Sequence, residues 1–172
     1  MNIKTKKQKG FTLIELLVVV AIIGMLASTV LIGLAPARKL GRDARRVSDI
    51  RNVQNVLELY YSQKGRYPNA TDCPGVTTSG GSAQGWTALG SCLVNVGLMT
   101  KQLPTDPNSN SASAATYIYT TGDGGLTYVM RALLESGTND VLKDDVDGSV
   151  FGVGCDDGTG PAAPNAYCVR NP

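Results

Sequence analysis

Glu15 is the only charged residue in a stretch that is almost wholly apolar from Phe11 to Ala35. A carboxylate carried to the middle of a hydrocarbon layer costs about 2.5 to 3.5 kcal/mol, so Glu15 has either a partner or a place near the headgroups. Four lysines, Lys4, Lys6, Lys7 and Lys9, stand directly ahead of the apolar stretch. Four cysteines, Cys73, Cys92, Cys155 and Cys168, have the side chain for disulfides or a thiolate metal site. The carboxylates Asp144, Asp145 and Asp147, with Asp156 and Asp157 further on, are of the type that binds calcium. The chain has no histidine, which removes His-based triads and ordinary His-ligated metal centres. No phosphate-binding loop or pair of catalytic carboxylates stands out, so no enzymatic activity is expected.

The elements that position these residues begin with the apolar run. As a helix, residues 11–35 measure roughly 37 Å at about 1.5 Å per residue, enough to cross a hydrocarbon layer of about 30 Å with some tilt. The run is too long for the h-region of a secretory signal, and Ala35-Pro36-Ala37 followed by basic residues is a poor cleavage site. A cut ahead of the run leaves it on the mature chain.

Gly10-Phe11-Thr12-Leu13-Ile14-Glu15-Leu16 followed by a long aliphatic run resembles the prepilin signal of type IV pilins and of the pseudopilins of type II secretion systems. The resemblance implies cleavage by prepilin peptidase between Gly10 and Phe11, N-methylation of Phe11, and a role for Glu15 in assembly. That carboxylate would meet the new amine of Phe11 on a neighbouring subunit, an attraction strengthened by low dielectric. The alternative is that Glu15 is solvated near the headgroups. The resemblance further implies a homopolymer of like subunits, an inner-membrane assembly platform with minor pilins or pseudopilins, contact with membrane lipid, and a single pass with the head outside the cytoplasm. Some pilin helices resemble this one in carrying glycine and proline, here Gly24, Gly33, Pro36 and Gly41, and are thought to unwind between them within the filament.

The helix continues past the membrane run. Ala44, Val47, Ile50, Val53, Leu57 and Tyr60 recur at three- and four-residue steps with polar residues between them. Gly65 is a good left-handed cap, with Pro68 three residues on. Gly65-Arg66-Tyr67-Pro68 is similar to the corner that ends the stem helix of the major pseudopilin. Beyond it the sequence turns polar and glycine-rich. Residues 86–99 read as a short helix, and Leu103-Pro104-Thr105-Asp106-Pro107 as an extended corner. Residues 116–121 and 126–134 read as a hairpin across Gly122-Asp123-Gly124-Gly125, with 150–153 and 166–169 as further strands. The expected fold class is α+β and pilin-like: a long N-terminal helix, membrane-spanning in its first half, packed on a small antiparallel sheet. The expected organisation is a leader over 1–10, a transmembrane and filament-core helix over 11–35, an amphipathic stem over 36–66 and a head over 67–172.

Three pairings of the cysteines are possible. The local one, Cys73 with Cys92 and Cys155 with Cys168, is favoured because it closes short loops in regions with little other order. A four-thiolate metal site lacks the usual C-x2-C spacing. At Asp144-Asp145-Val146-Asp147-Gly148 two readings stand: a calcium site, which the major pseudopilins resemble in having near their C-terminal sheet, and an Asp-Gly turn that needs no metal. An EF-hand register fails there, because it places Lys143 first and Gly154 last. Asn69-Ala70-Thr71 fits a glycosylation sequon, a match short enough to arise by chance.

Charge is uneven. Residues 36–67 hold eight Lys or Arg against three acids, and residues 68–172 hold four against ten. The whole chain carries a formal charge of +2, with no basic excess beyond the leader to make nucleic acid a main partner. The function expected is that of a structural filament subunit, first of a type II secretion pseudopilus and alternatively of a surface type IV pilus for adhesion, motility or DNA uptake. A reading of another class is a membrane-anchored binding domain or enzyme.

Overall fold

The computed structural model describes residues 10–80, 83–108, 117–155 and 165–171. Lys4, Lys6, Lys7, Lys9, Thr116, Asp156 and Asp157 lie outside the described residues. The chain divides into two compact units, one up to Arg38 and one from Lys39 onward.

Helix α1 runs from Leu13 to Lys64 and contains Pro36. In its first unit the apolar side chains are exposed around the helix, from Leu13 at 82% to Leu26 at 62%. A helix apolar on every face has no water-facing stripe and requires lipid or other helices around it. Among the described residues no single helix is long and apolar enough to cross a membrane. The segments Leu13–Thr29 and Leu34–Lys64 meet that requirement as a pair, by length and composition.

At its other end α1 stops where glycine permits. Gly65 adopts φ 70°, and its amide bonds to the Tyr61 carbonyl at 2.7 Å. Ile50, Val53, Leu57 and Tyr60 are buried as their spacing predicts. Of the two positions read ahead of them, Val47 is half-buried and packs against the same core, whereas Ala44 is exposed. On that part of the helix the buried side chains are Asp43 and Arg46.

Helix α2 spans Ala83–Asn95, displaced toward the N-terminus from the 86–99 expected. It ends early because Gly97 takes φ 79°, and the amides of Gly97 and Leu98 turn back to the carbonyls of Val94 and Leu93, each at 3.0 Å. This is the pairing of a Schellman cap.

Strands β1 (Tyr117–Gly122), β2 (Thr127–Leu133) and β5 (Ala166–Arg170) form an antiparallel sheet in the order β1-β2-β5. Tyr119 pairs with Met130, and Met130 with Val169, so alternation places these three on one face. That face joins Ile50, Val53, Leu57 and Tyr60 of α1 and Leu89 and Leu93 of α2 in the main core. Ile118, Val129 and Cys168, on the opposite face, pack with Val153 and Cys155 in a second cluster. The stretch 150–153, expected as one strand, is instead the tip of a hairpin between β3 (Ser149–Val150) and β4 (Val153–Gly154). Phe151 and Gly152 form its two-residue turn with φ 51° and 75°, and two successive positive φ values reverse a chain rather than extend it. The architecture is thus α+β and pilin-like, a long N-terminal helix followed by a small antiparallel sheet.

Candidate functional site

The start of α1 is built by Thr12 and Glu15. The Thr12 backbone amide donates to Glu15 Oε2 at 2.8 Å, and the Thr12 hydroxyl donates to the same oxygen at 2.8 Å. In return the Glu15 amide donates to Thr12 Oγ1 at 3.3 Å. This reciprocal Thr-x-x-Glu arrangement is a capping box, and it satisfies amides that a helix terminus otherwise leaves without partners. Glu15 also sits in the first turn, where a negative charge complements the helix dipole. Both bonds that it accepts fall on Oε2, so Oε1 is not drawn into the cap.

Gly10 and Phe11 precede the cap. Phe11 is 89% exposed, and a Cβ built on Gly10 meets nothing within 4 Å. The peptide bond between them is therefore reachable, and cutting it would leave the Thr12 amide, and with it the cap, intact. The capping box escaped the sequence reading, although its signature, threonine followed three residues later by glutamate, is plain in Thr12-Leu13-Ile14-Glu15.

The second polar centre lies in the head and was not foreseen. Arg46 is 2% exposed and points its Nε and Nη2 at Asp106 at 2.6 and 2.9 Å, and its Nη1 at Asp43 at 2.7 Å. Glu135 lies 3.0 Å from the same Nη1 and receives both Nε and Nη2 of Arg42. Asp43, fully buried, accepts the backbone amides of Glu135 at 2.9 Å and Ser136 at 3.0 Å. Desolvation opposes the Arg46 charge, but hydrogen bonds to Asp106, Asp43 and Glu135 outweigh it and raise its pKa beyond the ordinary guanidinium value. The Arg42 hydrogen bond, helped by Arg46, holds the Glu135 carboxyl down to about 2. A sequence signal did exist. Positions 43, 46, 50, 53, 57 and 60 continue one three-and-four-step stripe, so charge at Asp43 and Arg46 falls on the buried face.

The cysteines pair Cys73–Cys92 and Cys155–Cys168, over separations of 19 and 13 residues. Cys73 and Cys92 belong to the main core, Cys155 and Cys168 to the second cluster. Asp144 and Asp147 are exposed, while Asp145 accepts the Cys168 amide at 2.7 Å, a fastening of the loop to β5. Among the described residues no group of three or more His, Cys, Asp or Glu is gathered as a metal would require. Asn69 is buried at 5%, with Nδ2 donating to the Gly124 carbonyl and Oδ1 accepting the Thr71 and Asp72 amides. That turn occupies the nitrogen a glycan would need.

Residues 5–31 match the prokaryotic N-terminal methylation motif, a stretch that takes in Gly10, Phe11, the cap and the first turns of α1. The chain is 42% identical over 64 residues to type II secretion system core protein G of Escherichia coli, covering 37% of this chain and 44% of that protein. It is 40% identical over 63 residues to the protein of the same description in Aeromonas hydrophila, covering 37% and 44%. A longer, weaker match, 28% identical over 132 residues, joins it to the type IV wide pilus major component PilA4 of Thermus thermophilus, covering 77% of this chain and 86% of that protein. The chain therefore spans less than half the length of the secretion proteins it matches. No solved structure matches it.

Proposed function

We propose that this chain is a structural subunit of a pilus-like filament, made as a membrane-anchored precursor, cut between Gly10 and Phe11 by prepilin peptidase, methylated on Phe11 and polymerised through α1. One observation carries the reading: a helix whose first part is apolar on every exposed face begins, inside a methylation motif, with a carboxylate in its first turn. Each Leu, Ile or Val moved from water into lipid or a bundle of like helices gains about 1.5 to 3 kcal/mol, so the first part of α1 is driven into one or the other. Glu15 serves both stages. Its Oε2 caps its own helix while Oε1 is left to receive the Phe11 amine of a neighbouring subunit. The subunit works by packing, with no catalytic step.

The 42% identity to secretion core protein G, over 64 residues, favours a pseudopilus. The match to PilA4 extends through most of the head and supports a second reading, a surface pilus. A deletion strain separates them. Retained exoproteins without loss of surface filaments support the pseudopilus, and loss of purified surface filaments containing this chain supports the pilus. A strain normal in both respects would overturn the proposal.

A further inference from the structure

Tertiary fastening of α1 starts abruptly. Residues 34–41 are exposed without exception, with Leu34 at 39% and Leu40 at 52%, and a Cβ on Gly41 would meet nothing within 4 Å. Pro36 within this stretch has no amide to give the preceding turn, and glycine at position 41 lowers helix propensity further. One residue later the helix is locked. Arg42, Asp43 and Arg46 take part in seven hydrogen bonds to one another and to Asp106, Glu135 and Ser136. Their partners are anchored in turn, since Leu103 is buried, Trp86 Nε1 donates to the Pro104 carbonyl at 3.0 Å, and Leu134, the residue after β2, is buried.

We infer that the Arg42–Asp43–Arg46 cluster is a stop that confines any opening of α1 to the stretch ahead of Arg42. Opening the helix up to Gly41 breaks only backbone bonds weakened by Pro36 and replaceable by water. Carrying the opening through Arg46 strands a buried guanidinium and two buried carboxylates from their partners, a far larger penalty. The head thereby keeps its part of α1 however the exposed stretch bends or frays. This goes beyond the filament proposal and holds for the isolated chain.

Amide hydrogen exchange of the full-length chain in detergent tests it. An amide at position i bonds to the carbonyl four residues before it, so opening as far as Gly41 also frees amides 42–45. The expected result is fast exchange over 34–45 and a step to slow exchange at Arg46. In Asp43→Asn the step should move past Ile50, with amides 46–50 exchanging about a hundredfold faster while those of Val129 and Met130 keep their protection. Should that variant fail to fold, Glu135→Gln leaves the Arg46–Asp106 pair in place and should shift the same step in the same direction by a smaller amount. Uniform protection across 34–50 in the wild type, or a step that stays at Arg46 in the folded variants, would overturn the inference.

Discussion

The guanidinium of Arg46, on α1, meets both carboxylate oxygens of Asp106, 60 residues further along the chain, inside the head. Removing one side of a buried pair leaves the other charge without compensation, at a cost of about 3 to 5 kcal/mol. Arg46→Ala should therefore lower the urea midpoint of head unfolding more than Arg45→Ala, whose side chain is 60% exposed and lies 3.9 Å from Asp49. Equal midpoints for the two variants would contradict the role given to this pair.

Acid should loosen the same region. The Glu135 carboxyl is held near 2 in the fold, below its ordinary 4.5, by Arg42 and Arg46. A depressed carboxyl adds stability that is complete above the unfolded value and disappears as pH falls through the folded one. Melting temperature should accordingly fall between about pH 4.5 and pH 2, and Arg42→Gln should flatten that part of the curve. A wild-type curve already flat over that range would remove Glu135 from the account.

Alkali acts through the phenols. Burial raises the pKa of Tyr117 and Tyr67, as do their hydrogen bonds to Asp49 at 2.9 Å and Glu58 at 3.0 Å, and burial raises that of Tyr119. Groups with raised pKa add stability that is complete below the unfolded value, about 10, and is lost as pH climbs toward the folded one. Spectrophotometric titration should show some of the seven tyrosines ionising only together with unfolding. Full ionisation at pH 10 to 11 with the fold intact would contradict the burial.

The Cys73–Cys92 bond closes a loop within the main core. A loop of this size contributes about 3 kcal/mol by restricting the unfolded chain. The double variant Cys73→Ser/Cys92→Ser should lose about that much in chemical denaturation, with unpaired hydroxyls in the core adding to the loss. An unchanged midpoint would show that the loop is ordered without it.

Capping and charge at Glu15 can be separated. Glu15→Gln keeps an acceptor for the Thr12 amide but removes the charge, whereas Thr12→Ala removes the hydroxyl of the cap at about 1 kcal/mol and keeps the charge. If Glu15 pairs with a neighbouring amine, filament yield should collapse in Glu15→Gln and fall only modestly in Thr12→Ala. The reverse order would make the carboxylate a helix cap alone.

Much of this was legible in the residues. Gly65 and Pro68 mark the end of α1 because few other residues adopt a left-handed cap or forbid its continuation. The hairpin of β1 and β2 was legible because Gly122 to Gly125 interrupt two β-branched and aromatic runs. Other features were hidden by the same reasoning. By type Arg46 belongs with the polar residues between the apolar positions, because charge is normally solvated; Asp43 beside it and Asp106 and Glu135, remote in sequence, make its burial tolerable. The hairpin of β3 and β4 was hidden because a positive φ at Phe151, a bulky residue, is not signalled by its type; its ring packs against Gly122, where a Cβ would clash.

Mass spectrometry of the N-terminus of the chain recovered from membranes addresses the filament-subunit reading most directly. The expected result is a chain beginning at N-methylated Phe11, with residues 1–10 absent. A mature chain that begins at Met1 or Asn2, with an unmodified Phe11 inside it, would contradict processing and with it the pairing of Glu15 to a new amine.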